Sequence, residues 1–254
     1  MRNSGTQAID RALDLLSSII EDEGQTSIAV IGRRQSLPAA TTYRITSALV
    51  RKGFLIPIGR GKHVAGSRLI AMGFEVTLRP ALVALSRPVL KALAREVVGI
   101  AHLGILEQGM VTYLVKAGRG YPNIFTEEGT QLEAYCSGIG KVLLAALPPA
   151  EQDQYLSDGP FVALTSHTIT APDSLAQELS RVGHLGFARD SQEVAFGLHC
   201  LAVALRDPSK VAIAALSVSR EVPDLDESAT LAAMRAAAAK IERALFGSAA
   251  VSRD

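Results

Sequence analysis

The stretch Tyr135–Leu144, YCSGIGKVLL, places a serine, two glycines and a lysine at the start of an apolar run. Glycine-rich turns that lead into a helix bind anions through free backbone N–H groups. A Walker A loop, G-x-x-x-x-G-K-[ST], would need glycine at Tyr135 and a hydroxyl side chain at Val142, so a nucleotide site is not expected. What remains is a helix whose first N–H groups, at Gly138 and Ile139, suit a single carboxylate. A turn required only for close packing of the helix is the alternative.

Other residue types that carry chemistry form no pattern. Cys136 and Cys200 stand far apart without CxxC or Cys/His spacing, so neither a disulfide framework nor a zinc site is expected. His102, His167 and His184 have no Ser/Asp partner pattern, and we interpret them as structural or surface residues. The sequence contains no G-x-S-x-G or H-E-x-x-H motif. We therefore expect no catalytic residue, no metal and no cofactor.

Composition limits the class of protein. The chain has 254 residues, of which 48% are hydrophobic, which is enough for two modest domains with real cores. No apolar run approaches the roughly 18 residues of a transmembrane helix. The start of the chain carries acids where a signal peptide would be basic and then apolar. We expect a cytoplasmic protein that has no membrane partner.

Charge is distributed unevenly along the chain. The segment Gly24–Phe74 contains no Asp or Glu but eight basic residues: Arg33, Arg34, Arg44, Arg51, Lys52, Arg60, Lys62 and Arg68. Residues 1–76 hold ten Lys/Arg against six Asp/Glu, whereas the remainder holds sixteen against nineteen. This asymmetry predicts that the first part meets a polyanion. A basic face that is merely solvated is the alternative.

Apolar spacing in the basic part predicts three helices and a hairpin. The first helix spans residues 6–21, and a short second helix, SIAVIGRRQ, begins after the predicted cap Ser27. A third helix, PAATTYRITSALVRKG, begins with Pro38 in its first turn. The hairpin FLIPIGRGKHVAG follows, with Arg60 and Lys62 at its tip. Two helices joined by a tight turn and followed by a basic hairpin are typical of DNA-binding modules.

The third helix has a predicted outer face. Its buried side is expected to consist of Ile45, Ala48 and Leu49. The opposite side is then Tyr43 and Ser47, flanked by Ala39, Ala40, Arg44, Thr46 and Arg51. A helix of this kind can enter the major groove while basic residues contact phosphates. The predicted DNA-binding residues are Arg34, Ala39, Tyr43, Arg44, Ser47, Arg60 and Lys62. A packing module of three helices with no DNA role is the alternative.

The second part alternates between helix and strand patterns. GSRLIAMGFEVTL predicts a linker helix, and the next helix is entered through Pro80 and crossed by Pro88. Two strands surround EQG, and two more, HCLAVALRD and KVAIAALSVS, surround DPSK. GKVLLAAL, DSLAQELSRVGHLG and DESATLAAMRAAAAKIERALFG predict helices. We expect one mixed sheet with helices packed on it, and hence an α+β protein of two domains.

A family resemblance is carried by SIAVIGRRQSLPAATTYRITSALVRKGFL, which is similar to the winged helix-turn-helix of the IclR family of bacterial transcriptional regulators. The positions that match the family pattern are Leu37, Pro38, Thr41, Arg44, Leu49 and Gly53. Ser36 stands where the family usually has the turn glycine, Ala40 where serine is frequent, and Ile45 where leucine is usual.

The resemblance extends into the second part through GFARDSQEVAFGLHCLAVALRD. Here Gly186, Asp190, Glu193, Gly197, Cys200, Ala202 and Asp207 match the family pattern. AALSVS and SGIGKVLLA also resemble the family, whereas His199 and Ala204 replace a frequent arginine and the usual proline. The resemblance implies a winged helix-turn-helix at 1–66, a linker helix at 67–80 and a GAF-like mixed α/β effector domain at 81–254.

The resemblance also implies a site. Such domains bind a small effector, commonly a carboxylic acid of central or aromatic metabolism. The implied contacts are the backbone of Gly138 and Ile139 and the side chains of Asp190, Cys200, Ser217 and Ser219. Tyr121, Ile124 and Leu198 are expected to form the apolar wall of the effector pocket. A fixed charge on Asp190 would repel a bound acid, so it either accepts from a ligand hydroxyl or has a raised pKa.

The resemblance thus predicts a transcriptional regulator that binds a double-stranded DNA operator as a homodimer or a dimer of dimers. Two alternatives stay open at this point. The second domain could be purely architectural and bind no effector. It could also be an enzyme, although no motif supports that interpretation.

Overall fold

The computed structural model describes residues 4–75, 77–118, 125–221 and 226–247. Contacts divide the chain into two units, Met1–Leu78 and Arg79–Asp254. The elements of the first unit are α1 (Ser4–Glu21), α2 (Ile28–Arg34), α3 (Ala39–Arg51), the antiparallel pair β1 (Leu55–Gly59) and β2 (Lys62–Ala65), and α4 (Ser67–Glu75). This is the predicted order of three helices, a hairpin and a further helix.

The core of the first unit joins α1, α2 and the hairpin. Its buried members are Leu15, Ile19, Ile28, Ile31, Leu37 and Leu55. Helices α2 and α3 approach closely at Gly32, where a Cβ atom would lie 2.3 Å from Oγ1 of Thr42. The turn between them places Ser36 at φ 57°, in the left-handed region that favours glycine. The helix-turn-helix expected from the sequence is confirmed.

Two predicted helix starts differ in detail. Ser27 occupies the N-cap of α2, but its side chain makes no capping hydrogen bond. The N–H of Ile28 instead donates to the carbonyl of Gly61 at 2.9 Å, which ties α2 to the hairpin turn. Pro38 is the N-cap of α3 rather than a residue of its first turn. Its carbonyl accepts from the N–H of Thr42 at 3.0 Å, and a missing proline N–H is equally harmless there.

The second unit is a helix-covered sheet. Its helices are α5 (Arg79–Glu96), α6 (Gly138–Ala145), α7 (Pro149–Ser157), α8 (Pro172–Leu185) and α9 (Glu227–Phe246). Its strands are β3 (Ile100–Glu107), β4 (Met110–Ala117), β5 (Gln131–Glu133), β6 (Ala188–Ser191), β7 (His199–Arg206) and β8 (Ala212–Arg220). The strand order is β5-β4-β3-β8-β7-β6. The α+β class predicted from the sequence is confirmed.

Every strand pair in this sheet is antiparallel, so the expectation of a mixed sheet was wrong. The reason lies in the connections. β3 and β4 are joined by a tight turn at Gln108 and Gly109, and β7 and β8 by a short loop, so each pair must run in opposite directions. Helices α6, α7 and α8 instead connect β5 with β6, at opposite edges of the sheet. Nothing in the periodicity of the sequence distinguishes this path from a parallel crossover.

The two faces of the sheet are covered by different helices. Helices α5 and α9 pack on one face, around Leu90, Leu103 and Leu216. Helices α6 and α8 belong to the layer on the other face. Alternation along β8 directs Leu216 toward the first layer and Ser217 and Ser219 toward the second. Among the described residues, no helix is long and apolar enough to cross a membrane.

Candidate functional site

The first unit presents a polar and basic surface along α3. Ala39, Tyr43, Arg44 and Ser47 are all exposed, as the sequence predicted. Arg34 is exposed at the end of α2. The hairpin turn holds Arg60 at φ 50° and Gly61 at φ 73°, and Lys62 follows, half-buried, at the start of β2. With no acid between Gly24 and Phe74, this surface suits a polyanion.

One residue assigned to this face lies elsewhere. Thr46 is only 2% exposed, so its predicted place on the outer side of α3 was wrong. Thr42, one turn earlier, is buried as well and faces Gly32 of α2. The absent side chain at Gly32 lets α2 approach Thr42, and the buried side of α3 includes Thr42 and Thr46 beside Ile45 and Leu49, which are half-buried and pack against the core.

The second unit contains the helix start predicted to bind an anion. Ser137 is the N-cap of α6, and its Oγ accepts from the N–H of Gly140 at 3.0 Å. The N–H of Lys141 donates to the carbonyl of Ser137 at 2.9 Å. Within the described part of the chain, the N–H groups of Gly138 and Ile139 have no acceptor. They are the two donors that the sequence assigned to a carboxylate.

The two glycines of the motif have different surroundings. A Cβ atom on Gly140 would lie 2.1 Å from the carbonyl oxygen of Ala134, so this glycine is required for packing. A Cβ atom on Gly138 would lie 3.3 and 3.8 Å from the Cβ atoms of Ala202 and Cys200, its nearest side-chain neighbours. The packing interpretation of the motif therefore holds for Gly140, whereas a Cβ atom on Gly138 would be a tight contact with the strand beneath it rather than a clash with backbone.

The lysine of the motif is engaged inside the protein. Lys141 is 1% exposed, and its Nζ lies between the carboxylates of Glu193 and Glu178, 3.3 Å from the latter. Glu178 also pairs with Arg181 on α8. Because Lys141 is held by two carboxylates, it is not available to a phosphate, which agrees with the departure from the Walker pattern.

A cavity opens at the start of α6. Seven of the predicted effector-binding residues line it: Gly138, Ile139, Asp190, Leu198, Cys200, Ser217 and Ser219. The other two, Tyr121 and Ile124, lie outside the described residues. The centre of a water molecule can move within about 20 Å³ of this cavity, which is room for about one water. A larger ligand would require the lining side chains to move.

Strand register explains how distant residues meet here. Asp190 on β6 is paired with Cys200 on β7, and Cys200 with Ser219 on β8. The Cys200 thiol donates to Oγ of Ser219 at 3.1 Å. Ser217 belongs to the next row on the same face, opposite His102 of β3. The polar groups of four strands thus form two adjacent rows beneath the N-terminus of α6.

Asp190 is the carboxyl group of the cavity. It is 2% exposed, and its Oδ1 accepts from the N–H of Glu193 at 2.8 Å. Burial, and next the charge of Glu193, raise its pKa to about 7. Near neutral pH the carboxyl can therefore be protonated and donate to an anion. Burial also raises the pKa of the Cys200 thiol well above its usual value, so Cys200 acts as a neutral thiol.

Sequence reasoning missed part of the lining. His102, interpreted as structural or surface, is a wall residue of the cavity together with Tyr113, Thr126 and Val194. Its Nε2 lies 2.9 Å from Oγ1 of Thr126. Burial, with a contribution from the charge of Lys116, lowers the pKa of His102 to about 3, so the ring is neutral. Only the pairing of β3 with β8 reveals its place, and single-strand periodicity does not contain that pairing.

A basic helix-turn-helix unit, followed in the chain by a unit with a polar cavity, indicates a regulator of transcription. Comparison with protein-family models agrees. Residues 8–56 match the IclR helix-turn-helix domain, and residues 75–243 match the bacterial transcriptional regulator IclR C-terminal domain. The chain belongs to the IclR family of bacterial transcriptional regulators. It is a DNA-binding regulator and not an enzyme.

Individual relatives cover nearly the whole chain. The HTH-type transcriptional regulator BhcR of Paracoccus denitrificans is 31% identical over 249 residues, which are 96% of this chain and 88% of the relative. The Pca regulon regulatory protein of Pseudomonas putida is 26% identical over 85% of this chain and 74% of its own. An IclR homologue from Microbacterium hydrocarbonoxydans, crystallised in complex with 4-hydroxybenzoate, is 25% identical with a TM-score of 0.60, over 94% of this chain and 98% of its own.

Proposed function

We propose that the second unit binds a small carboxylate at the N-terminus of α6, and that this binding changes how the first unit occupies its operator. The observation that carries the proposal is the cavity itself. All seven predicted effector-binding residues that the structure describes line it, although the chain separates Gly138 from Ser219 by eighty positions. A purely architectural domain would not need two free N–H groups and two serine hydroxyls to converge on one space.

The chemistry of the lining favours an anion with one carboxylate. The N–H groups of Gly138 and Ile139 lie at the positive end of the α6 dipole. The hydroxyls of Ser217 and Ser219 can donate from the sheet below, and a protonated Asp190 can do the same. The complex of the Microbacterium homologue with 4-hydroxybenzoate, a carboxylate, supports this class of ligand.

For DNA binding, we propose that α3 enters the major groove with Ala39, Tyr43, Arg44 and Ser47 toward the bases. Arg34, Arg60 and Lys62 contact phosphates from either side. In this proposal residues 1–66 read DNA, residues 67–80 link, and residues 81–254 bind the effector. The regulator acts in the cytoplasm as a homodimer or a dimer of dimers.

The test is isothermal titration of small aliphatic and aromatic carboxylates into the wild type and into Gly138→Val. The valine places methyl groups where the anion must approach, so we expect at least a tenfold loss of affinity. Ser217→Ala should lose about 1 kcal/mol, or roughly fivefold, for one neutral hydrogen bond. Operator binding measured without effector at fixed salt should be unchanged in both variants.

Gly183→Val is the matched control. Gly183 lies on α8 with nothing within 4 Å of its added Cβ, so the same substitution is placed away from the cavity. It should retain full carboxylate affinity. If Gly138→Val also retained full affinity, the helix start would serve packing alone and the carboxylate site proposed here would be refuted.

A further inference from the structure

We propose that His102, supported by Thr126, recognises a hydroxyl group on the effector, so that the ligand is a hydroxy-carboxylate rather than a plain carboxylate. The inference rests on the proposed carboxylate site and specifies the ligand of that same cavity. It assigns a second recognition point, on β3, to a residue that carries no role in the site described above.

The first observation is an unused nitrogen. His102 is 2% exposed and lines the cavity, and its Nε2 is engaged with Oγ1 of Thr126 at 2.9 Å. Its Nδ1 is buried and has no hydrogen-bond partner among the described residues. A buried polar atom without a partner is unfavourable, and native proteins rarely keep one without a reason. A ligand group in the cavity would supply the missing partner.

The second observation is the direction of the hydrogen bonds that the contact between His102 and Thr126 allows. If Nδ1 carries the proton, Nε2 accepts from the Thr126 hydroxyl and the ring donates to the ligand. In the other tautomer Nε2 donates to Thr126, and Nδ1 accepts from the ligand. A ligand hydroxyl satisfies both cases because it donates and accepts. A second carboxylate only accepts, and its burial beside a neutral imidazole would be costly.

The third observation is the separation of the two recognition points. Gly138 lies over β7, since its nearest neighbours in the sheet are Ala202 and Cys200. His102 belongs to β3, which is separated from β7 by β8. Two strand spacings amount to about 10 Å between the backbones. The anion site and the imidazole therefore approach the cavity from different strands, β7 and β3, so that two groups of one small molecule can reach both once the lining side chains move to enlarge the cavity.

The experiment compares ligands that differ by one hydroxyl. Butanoate and 3-hydroxybutanoate, and benzoate and 4-hydroxybenzoate, are titrated into the full-length wild type by calorimetry. In at least one pair the hydroxy acid should bind about tenfold tighter, because a site built to bond a hydroxyl discriminates against the analogue that lacks it. In His102→Phe the ratio of the affinity for the hydroxy acid to the affinity for the plain acid should fall close to one, while the plain carboxylate still binds.

Two further variants separate recognition from general damage. Ser219→Ala removes a hydroxyl on the anion side and should weaken both members of a pair equally, so the ratio should stay as in the wild type. Thr126→Val keeps the shape of the side chain but removes the partner of Nε2, and it should lower the ratio. If His102→Phe does not unfold cooperatively, two other measurements test the role of the imidazole. One is the affinity ratio in Thr126→Val. The other is the ¹⁵N chemical shift of His102 Nδ1 in the wild type, which only the hydroxy acid should change.

Each contrary result has its own meaning. If neither His102→Phe nor Thr126→Val changed the affinity ratio between the hydroxy acid and the plain acid, the proposed role of the imidazole would be overturned. Equal binding of both members of every pair by the wild type would overturn it as well, while the carboxylate site at Gly138 would stand. If no carboxylate bound the wild type, the proposed function would fail and this inference would fail with it.

Discussion

Asp190 places a carboxyl group in the cavity that we expect to hold an anion. Asp190 is half protonated near pH 7, mostly protonated at pH 6, and ionises as the pH rises through its pKa of about 7. An anionic effector binds the protonated form better, so affinity should level off toward pH 6 and fall by up to tenfold per pH unit above pH 7. The effector carboxylate itself is ionised throughout this range.

The check is calorimetric titration of one carboxylate between pH 6 and 9. Two charged groups lie near Asp190: Glu193, which follows β6, and Lys141 on α6. The neutral thiol of Cys200 on β7 also faces it. Asp190→Asn keeps a neutral donor and should remove the dependence on pH. A profile that stays flat in the wild type would show that Asp190 does not share a proton with the bound anion.

At the scale of elements, the hairpin β1–β2 carries a prediction on DNA binding. Lys62 lies directly after a turn that holds two residues in the left-handed region, so the tip is a defined structure rather than a free loop. If Lys62 contacts a phosphate, Lys62→Ala should weaken binding equally on all sequences and lower the salt slope by roughly one. The slope comes from operator titrations at several salt concentrations.

Arg235→Ala is the control for this measurement. Arg235 is exposed on α9 in the second unit, so the variant removes the same charge without touching the hairpin. Its slope should equal that of the wild type. A slope unchanged in Lys62→Ala would remove this lysine from the phosphate contacts.

The sequence predicted elements well where local signals exist. The hairpins β3–β4 and β7–β8 are flagged by EQG and DPSK, and α6 by its glycines and apolar run. It missed β5, α7 and β6, because three or four residues contain too little periodicity and α7 has no buried face. Yet β6 positions Asp190. That residue was found only through the family resemblance.

Residue positions failed where they depend on tertiary contacts. Thr46 is buried one turn after Thr42, which faces Gly32 of α2, and a helical wheel of α3 alone contains no contact with α2. His102 enters the cavity because β3 pairs with β8, more than a hundred residues later in the chain. Helix starts and turns depend on residues close together in the sequence, so they could be predicted. The partners of a strand are distant in the sequence, so they could not.

At the scale of the whole molecule, one recognition helix is short for specific DNA binding. A single small module buries little surface, and helix-turn-helix proteins gain affinity by binding two half-sites about one helical turn apart. Helix α1 also leaves Ile9 and Leu13 61% and 57% exposed, one turn apart on the same side. We therefore expect two or four chains on each operator duplex, measured by light scattering on a gel-filtration column.

Leu13→Glu tests whether this face of α1 holds the chains together. A charge on an apolar face that a second copy covers should raise the protein concentration needed for operator binding, and should shift the free protein toward one chain. Val211→Glu is the control, since Val211 is 58% exposed between β7 and β8 and lies in the other unit. It should change neither quantity. One chain bound per duplex at full affinity in the wild type would refute the assembly itself, whereas an unaffected Leu13→Glu would exclude only α1 as its contact.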